Sequence, residues 1–411
     1  MNQAIERKPA AVVREPALRR TLALDYLACC FGRFTLMPVL AIMLAAGSGG
    51  AAWASTGIGL FGFMLCAGLA ALPATRWLPK FPYVVSLPAS MVFSAVGFGL
   101  LPYTHHAALT MTLLFLGAFG ISVHATLVRV LVREVIAGEP GRNTIYSIQQ
   151  IATNAAAAVG PFAAGVLYVA GDARPLLAVI ALAYVLAGVT LLAGLPRGLR
   201  PSDALRERVR GPSHLLATLR GREARRTSLI TVAGAFVYAQ FYSAFALLVG
   251  FAVDSALLRG ALLAGPPVAI ALLQTPVTVV ANRFLRTGVR PVQILALATL
   301  VFGVAMLLLG LGLPVVVAAT AAMAVFAVAE MLFTPMVSTA FSRLPGPSAL
   351  AASNLQGVAW TTGEALGSLC GGALFLLGYH HGAAQWYWLG LAVLASLAAV
   401  PYLTGRRSTV D

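Results

Sequence analysis

The chain has 411 residues, of which 59% are hydrophobic and only 10% are charged, and its mean hydropathy is +0.87. A soluble domain of this length needs far more polar surface, so the composition excludes one and indicates an integral membrane protein. The net charge of +15 could indicate a nucleic-acid partner. Its distribution argues against that, because the basic residues lie between apolar segments.

Apolar runs of about 20 residues match a bilayer core about 30 Å thick, since a helix rises about 1.5 Å per residue. Several runs contain Gly and Pro, which predicts bent helices. We predict an all-α membrane protein with twelve transmembrane helices in two pseudo-symmetric six-helix bundles. The predicted spans are roughly 21–44, 53–73, 82–102, 107–130, 143–168, 175–195, 227–251, 259–281, 290–311, 314–338, 351–377 and 385–404.

These spans divide the chain into five regions. Residues 1–20 form a polar tail, 21–195 the N-terminal bundle, 196–226 a basic linker, 227–404 the C-terminal bundle and 405–411 a second tail. Arg and Lys are concentrated in alternate connections, the termini and the linker. The positive-inside rule therefore predicts that both termini and the linker are cytoplasmic. The preference for Arg over Lys is typical of a GC-rich bacterial genome, so we expect a multi-pass protein of the bacterial inner membrane.

An internal repeat relates the two halves. A constant offset of 207 positions joins identical residues without a gap, as expected for a duplicated bundle, and transporters built from such repeats place the substrate near the bilayer midplane between them. The matching pairs are Arg76 and Arg283, Gln149 and Gln356, Gly160 and Gly367, and Gly165 and Gly372.

Enzymatic motifs are absent from the sequence. It contains no metalloprotease, nucleophile-elbow, dithiol or phosphate-loop pattern, and its only lysines are Lys8 and Lys80. We expect no enzyme activity, cofactor or bound metal. The cysteines at 29, 30, 66 and 370 all lie in apolar spans and are interpreted as buried small side chains.

Ionisable residues inside apolar spans are functional candidates, because burying one charge costs at least about 2.5–3.5 kcal/mol on insertion scales. Five qualify: Asp25, Arg33, His124, Glu330 and Glu364. Glu330 follows Pro314 by about 24 Å of helix, which takes it past the midplane. It is our first candidate for proton coupling, and Asp25 and Glu364 follow it. The alternative for each acid is a structural hydrogen bond, or for Asp25 a position at a helix end.

Arg33 and His124 have less certain partners. Asp25 and Arg33 differ by about 12 Å in height and about 80° in azimuth on one helix, so they cannot pair directly. Arg33 therefore requires Glu330, Glu364 or an anionic group of the substrate. His124 is either a proton relay or a satisfied structural group.

Polar and aromatic side chains on other helices could line a substrate site. Helix packing and an interfacial aromatic belt are the alternative explanation. With Arg33 and His124, the candidates for substrate binding are Gln149, Tyr238, Gln240, Tyr242, Gln274, Gln356 and Trp360.

Several motifs resemble those of the major facilitator superfamily across residues 21–404. Gly32 and Pro38-Val39-Leu40 are similar to its first-helix signature, and residues 76–80 occupy the place of its conserved loop between helices 2 and 3. Residues 160–165, Gly-Pro-Phe-Ala-Ala-Gly, resemble the motif of proton-coupled exporters. Residues 329–332 with Pro335 are similar to bacterial multidrug exporters of the MdtH and LmrP type.

The resemblance implies gating roles for Arg76, Lys80, Gly160, Pro161, Gly165 and Arg283. The loop motif departs from the family pattern, because Thr75 stands where an Asp is expected and Leu78 where a Gly is expected. A cytoplasmic lock formed by that Asp would be weakened or built differently here.

Together these features predict a monomeric, proton-coupled secondary transporter of the drug:proton antiporter type. It would export small amphiphilic molecules by alternating access, exchanging them for protons across the lipid bilayer. One alternative is a proton-coupled uptake symporter for a small metabolite, and another is a non-transporting membrane sensor. The charged candidates break the 207-residue repeat, since Arg33 matches Gln240 and Glu330 matches Val123. The predicted function therefore lies in that asymmetry.

Overall fold

The structure, a computed structural model, describes residues 15–46, 52–74, 78–104, 106–136, 139–168, 172–200, 219–345 and 349–403. Twelve long helices make up most of these residues. They are α1 (Glu15–Ala46), α2 (Ala52–Ala74), α3 (Tyr83–Gly99), α4 (Ala107–Val135), α5 (Glu139–Leu167), α6 (Arg174–Gly194), α7 (Arg222–Ala252), α8 (Ala256–Arg286), α9 (Pro291–Gly310), α10 (Val315–Ser342), α11 (Ala349–His380) and α12 (Ala384–Leu403).

Eleven of these helices are long and apolar enough to cross a membrane, by length and composition. The exception is α11, whose 32 residues include the predicted polar and aromatic positions Gln356, Trp360 and Glu364. A helix of this length with a polar stripe fits a membrane protein when other helices cover that stripe. The twelve-helix, all-α prediction is confirmed.

Several helices extend beyond the predicted spans. The first begins at Glu15, inside the predicted tail, because Pro16 suits a first helical turn and Leu18 is buried with 1% exposure. Helix α7 begins at Arg222, inside the predicted linker. Hydropathy alone misses such polar end turns. Linker residues 201–218 and tail residues 405–411 lie outside the described residues.

The helices pack as two groups of six. In the first group, α1 packs on α5 and α6, and α3 packs on α4 and α6. In the second group, α7 packs on α11, and α9 packs on α10 and α12. The extensive contacts between the groups are α2 with α11 and α5 with α8. The repeat relates α2 to α8 and α5 to α11, so it converts one of these contacts into the other. We call the surface formed by the start of α1 and the end of α12 the termini-bearing face.

Glycines set the distance between the two halves. A Cβ on Gly165 of α5 would lie 2.9 Å from the Cα of Gly260 on α8, and one on Gly372 of α11 would lie 2.9 Å from the Cα of Gly57 on α2. Real Cβ atoms do not approach backbone this closely. The repeated glycines therefore serve equivalent backbone-to-backbone crossings between the halves.

Helix α7 contains a π-helical turn at Phe241–Phe245. The Phe245 N–H donates to the Gln240 carbonyl at 2.8 Å, which accommodates one extra residue in the turn. Such turns are rare and are common at functional sites. This one lies between Tyr238 and the C-terminal end of the helix, so it sets the azimuth of the side chains on either side.

Candidate functional site

Four helices from both halves bring five predicted site residues together. Helix α1 contributes Arg33, α7 contributes Tyr238, α10 contributes Glu330, and α11 contributes Trp360 and Glu364. All except Tyr238, which is buried, are half-buried. We call these five residues the central cluster.

Glu330 has a defined hydrogen-bond partner. The Tyr238 hydroxyl donates to Oε1 of Glu330 at 3.3 Å, which joins α7 to α10. The charge of Glu364 acts electrostatically on Glu330, since two carboxylates repel one another when both are charged. The site therefore contains two acids, and the charge of Glu364 acts on Glu330.

Arg33 interacts electrostatically with Glu364, across the boundary between the two halves. Of the two acids expected from sequence, Glu364 is thus the principal partner. Within the described part of the chain, no carboxylate lies within 4.0 Å of the guanidinium. Trp360 lies one helical turn before Glu364 on α11, where its indole N–H is a polar neighbour of the carboxylate. Arg33 therefore faces an acid without being locked to it.

Aromatic rings form one wall of the central cluster. The Tyr238 ring lies 5.4 Å from Trp360, 5.7 Å from Tyr242 and 5.8 Å from Phe326, measured between centroids. Such a wall offers apolar surface and π-faces to an organic molecule beside charged groups. The predicted residues Tyr242 and Trp360 therefore lie beside the charged ones.

A second polar cluster lies inside the N-terminal half. His124 of α4 places its Nε2 atom 2.9 and 3.0 Å from the two carboxylate oxygens of Asp25 on α1. The exposed fractions are 0% for Asp25 and 1% for His124. The alternative that Asp25 lies at a solvated helix end is therefore wrong. The other imidazole nitrogen lies 3.7 Å from the Cys29 sulfur.

Gln149 of α5 lies in the same half and is buried with 7% exposure. Its backbone carbonyl accepts from Thr153, whose hydroxyl lies 3.7 Å from the Cys30 sulfur. The Gln149 Nε2 atom is buried and has no hydrogen-bond partner among the described residues. An unsatisfied buried amide is unfavourable, which makes Gln149 one of the few polar groups with spare capacity.

The other predicted amides already have partners. Gln240 is fully buried, donates to the carbonyls of Phe236 and Gly367 at 2.9 and 3.0 Å, and accepts from the Tyr387 hydroxyl. These bonds favour a structural role for Gln240. Gln274 donates to the Met331 carbonyl at 3.2 Å, and Gln356 donates to Ser338 at 3.1 Å.

The predicted gating residues are dispersed. Arg76 lies outside the described residues, and Lys80 and Arg283 are exposed at helix ends. Gly160 and Pro161 lie within α5, where a Cβ on Gly160 would come within 2.8 Å of α1 backbone at Phe34. Gly165 forms the crossing with α8.

Sequence reasoning missed the contacts of Cys29, Thr153 and Tyr184. Tyr184 interacts electrostatically with Arg33, and within the part of the chain that the structure describes its buried hydroxyl has no hydrogen-bond partner. A useful signal existed, because a buried acid and a buried His in apolar helices need partners.

Across the described residues, no group of three or more His, Cys, Asp or Glu side chains could hold a metal ion.

The model of the Major Facilitator Superfamily matches residues 22–355, most of the chain. The chain belongs to the major facilitator superfamily. This membership accounts for the two six-helix halves and identifies the protein as a transporter rather than an enzyme. No match was found among curated proteins.

Solved structures of other superfamily transporters share the fold. A point mutant of the peptide transporter POT is 14% identical with a TM-score of 0.74, over 94% of this chain and 93% of that one. A bacterial homologue of the human lysosomal transporter Spinster, inward-facing and unoccupied, is 13% identical with a TM-score of 0.73, over 96% and 97%. A POT family transporter in complex with 5-aminolevulinic acid is 13% identical with a TM-score of 0.68, over 94% and 97%. At these identities the likeness concerns the fold.

Proposed function

We propose that this superfamily member is a proton-coupled secondary transporter that exports small amphiphilic molecules by alternating access. The observation that carries the proposal is the central cluster, in which Glu330 bonds to Tyr238 while Glu364 faces Arg33 from the other half. One guanidinium and two carboxylates interact there electrostatically beside an aromatic wall.

The charge balance gives a mechanism for exchange. With both acids ionised, the cluster carries one net negative charge, and a buried net charge is unfavourable. A proton on Glu330 neutralises it, and so does a substrate with one positive group. The two therefore compete, and the apolar part of the substrate would contact Tyr238, Tyr242 and Trp360. When the two halves rock, the substrate is released on one side of the membrane and the proton on the other. The competition between them thereby becomes antiport.

The test measures substrate-driven proton movement in proteoliposomes across classes of amphiphilic compounds. Glu330→Gln keeps the size of the side chain but holds the position neutral. We expect wild-type protein to release protons on substrate addition and the variant to lose this release. Asp254→Asn is the control, because Asp254 is an exposed acid just after the C-terminal end of α7. Unchanged coupled flux in Glu330→Gln would overturn the assignment.

Uptake of a small metabolite is the second candidate. It draws support from the fold shared with POT peptide transporters and with the POT family structure that contains 5-aminolevulinic acid. Arg33 and the two acids would suit a substrate that carries both charges. Under an inward proton gradient, an importer accumulates the labelled compound in intact cells, whereas an exporter depletes it.

We further propose that the termini-bearing face is cytoplasmic in a bacterial inner membrane and that the protein acts as a monomer. The basic linker and helix ends support this orientation. Fusion of an enzymatic reporter to the C-terminus tests it, since a reporter active only in the periplasm should remain silent. Size-exclusion chromatography with light scattering tests the monomer.

A further inference from the structure

A cavity of about 450 Å³ opens on the termini-bearing face of the C-terminal half, far from the central cluster. Five chain segments line it: the start of α7, the loop between α8 and α9, the start of α9, the end of α10 and the end of α12. Its charged and aromatic lining residues are Glu223, Arg226, Arg290, Arg343 and Tyr402. We call this cavity the arginine pocket.

The arginine pocket has an excess of positive charge. Three guanidinium groups face one carboxylate, that of Glu223. Among the residues that the structure describes, neither Arg226 nor Arg343 has a carboxylate within 4.0 Å. Two helices begin at the pocket and two end there, so their dipoles largely offset and the arginines dominate the potential.

Arg226 is held in place before any ligand arrives. Its guanidinium lies 5.2 Å from the centroid of the Tyr402 ring, and the Tyr402 hydroxyl donates to the Arg226 carbonyl at 3.0 Å. A guanidinium stacked on a ring keeps its N–H edge available for an anion. The pocket thus presents a positioned donor.

We propose that the arginine pocket binds a phosphate-bearing ligand, either the headgroup of an anionic phospholipid or a soluble phosphorylated metabolite. Guanidinium groups match phosphate oxygens in pairs, which gives shorter and stronger hydrogen bonds than neutral donors do. The cavity volume falls in the range of small-molecule sites and exceeds that needed for a bare phosphate.

Occupation of the pocket would bear on transport. Arg226 lies about 18 Å before Tyr238 along α7, and Arg343 lies about 20 Å beyond Glu330 along α10, at 1.5 Å per residue. Helices α7 and α10 therefore carry both the Tyr238–Glu330 hydrogen bond of the central cluster and, further along each helix, one arginine of the pocket. A phosphate that bridges Arg226 and Arg343 would hold the start of α7 next to the end of α10. It would favour the conformational state in which these two helix ends are close.

The experiment uses full-length protein and two double variants of equal charge. Arg226→Gln/Arg343→Gln removes two pocket arginines. Arg222→Gln/Arg225→Gln is the matched control, because both residues are exposed on α7 and do not line the pocket. Native mass spectrometry measures retained lipid from micelles of phosphatidylglycerol or phosphatidylcholine. Thermal unfolding in phosphatidylcholine measures stabilisation by glycerol 3-phosphate and by inorganic phosphate.

We expect phosphatidylglycerol or glycerol 3-phosphate to bind wild-type protein and the control alike, and the pocket variant about tenfold or more weakly, since two charge-assisted hydrogen bonds are lost. Selective retention of the lipid identifies a headgroup site, whereas stabilisation by the soluble phosphates alone identifies a metabolite site. Equal binding by the pocket variant and the control overturns the proposal. If the double variant does not fold, Arg343→Gln replaces it, because Arg343 is exposed at the end of α10.

Discussion

The carboxylate of Asp25 and the imidazole of His124 form a fully buried pair, 2.9 Å apart, that joins α1 to α4. A carboxylate beside an imidazolium carries no net charge, and neither does a carboxylic acid beside a neutral imidazole, so the pair can be buried in either form. Loss or gain of a proton would leave a net charge inside the N-terminal half.

The pair should therefore stabilise the bundle only as a unit. We expect His124→Leu to lower stability by about 3 kcal/mol, because the Asp25 carboxyl group loses its partner. The double variant Asp25→Leu/His124→Leu should recover much of this loss. Thermal unfolding of the purified protein measures both, with His381→Leu, at an exposed position, as control. A double variant less stable than His124→Leu alone would contradict the prediction.

Arg33 and Glu364 should be energetically coupled across the two halves. Arg33→Gln and Glu364→Gln should each reduce proton-driven flux, and each leaves a charge without its counterpart. The double variant should be more stable than the sum of the single effects by about 0.5–3 kcal/mol, as expected for interacting residues. The measurement is a double-mutant cycle of unfolding midpoints with flux in parallel. Strict additivity would show that the two charges act independently.

The crossing of α5 and α8 should not tolerate one added carbon. In Gly165→Ala, the new Cβ would meet the Gly260 Cα and the Ala256 carbonyl at 2.9 and 3.0 Å, so the helices must separate. We expect a loss of about 1–3 kcal/mol in stability and a clear fall in transport. Gly390→Ala on α12 is the control, because nothing lies within 4 Å of its Cβ. Equal behaviour of the two variants would show that the crossing has room.

Gln240 should prove to be a structural residue. Gln240→Leu leaves the Phe236 and Gly367 carbonyls and the Tyr387 hydroxyl without this partner, so we expect stability to fall by about 1–3 kcal/mol. Substrate affinity of the folded variant should change little. A change in apparent affinity at unchanged thermal stability would instead support the predicted role in substrate binding.

The helices could be predicted from sequence because each has to span an apolar layer, and length and hydropathy report that directly. The helix ends could not. The start of α1 carries Arg19 and Arg20, and α7 begins with Arg222, so hydropathy treats these segments as tail or linker. Their helical structure depends on neighbours such as the core contacts of Leu18.

The candidate site was predictable in its residue types but not in its pairings. Charges in apolar spans identified Asp25, Arg33, His124, Glu330 and Glu364, since each needs a partner. The partners themselves depend on which helices are adjacent, and hydropathy carries no such information. Asp25 and His124 are 99 positions apart. Geometry on one helix excluded an Asp25–Arg33 contact, yet the choice of Glu364 required the packing of α1 against the second half.

The two glycine crossings bear on how the halves move. The helix backbones meet directly at Gly165 and Gly260 and at Gly57 and Gly372, where a pivot would need less side-chain rearrangement than at a crossing of large side chains. The barrier between outward-open and inward-open states would then arise mainly from the polar contacts that the central cluster makes and breaks. Ligand and proton binding at that cluster would then set the rate of interconversion, and the crossings would be pivots common to both states.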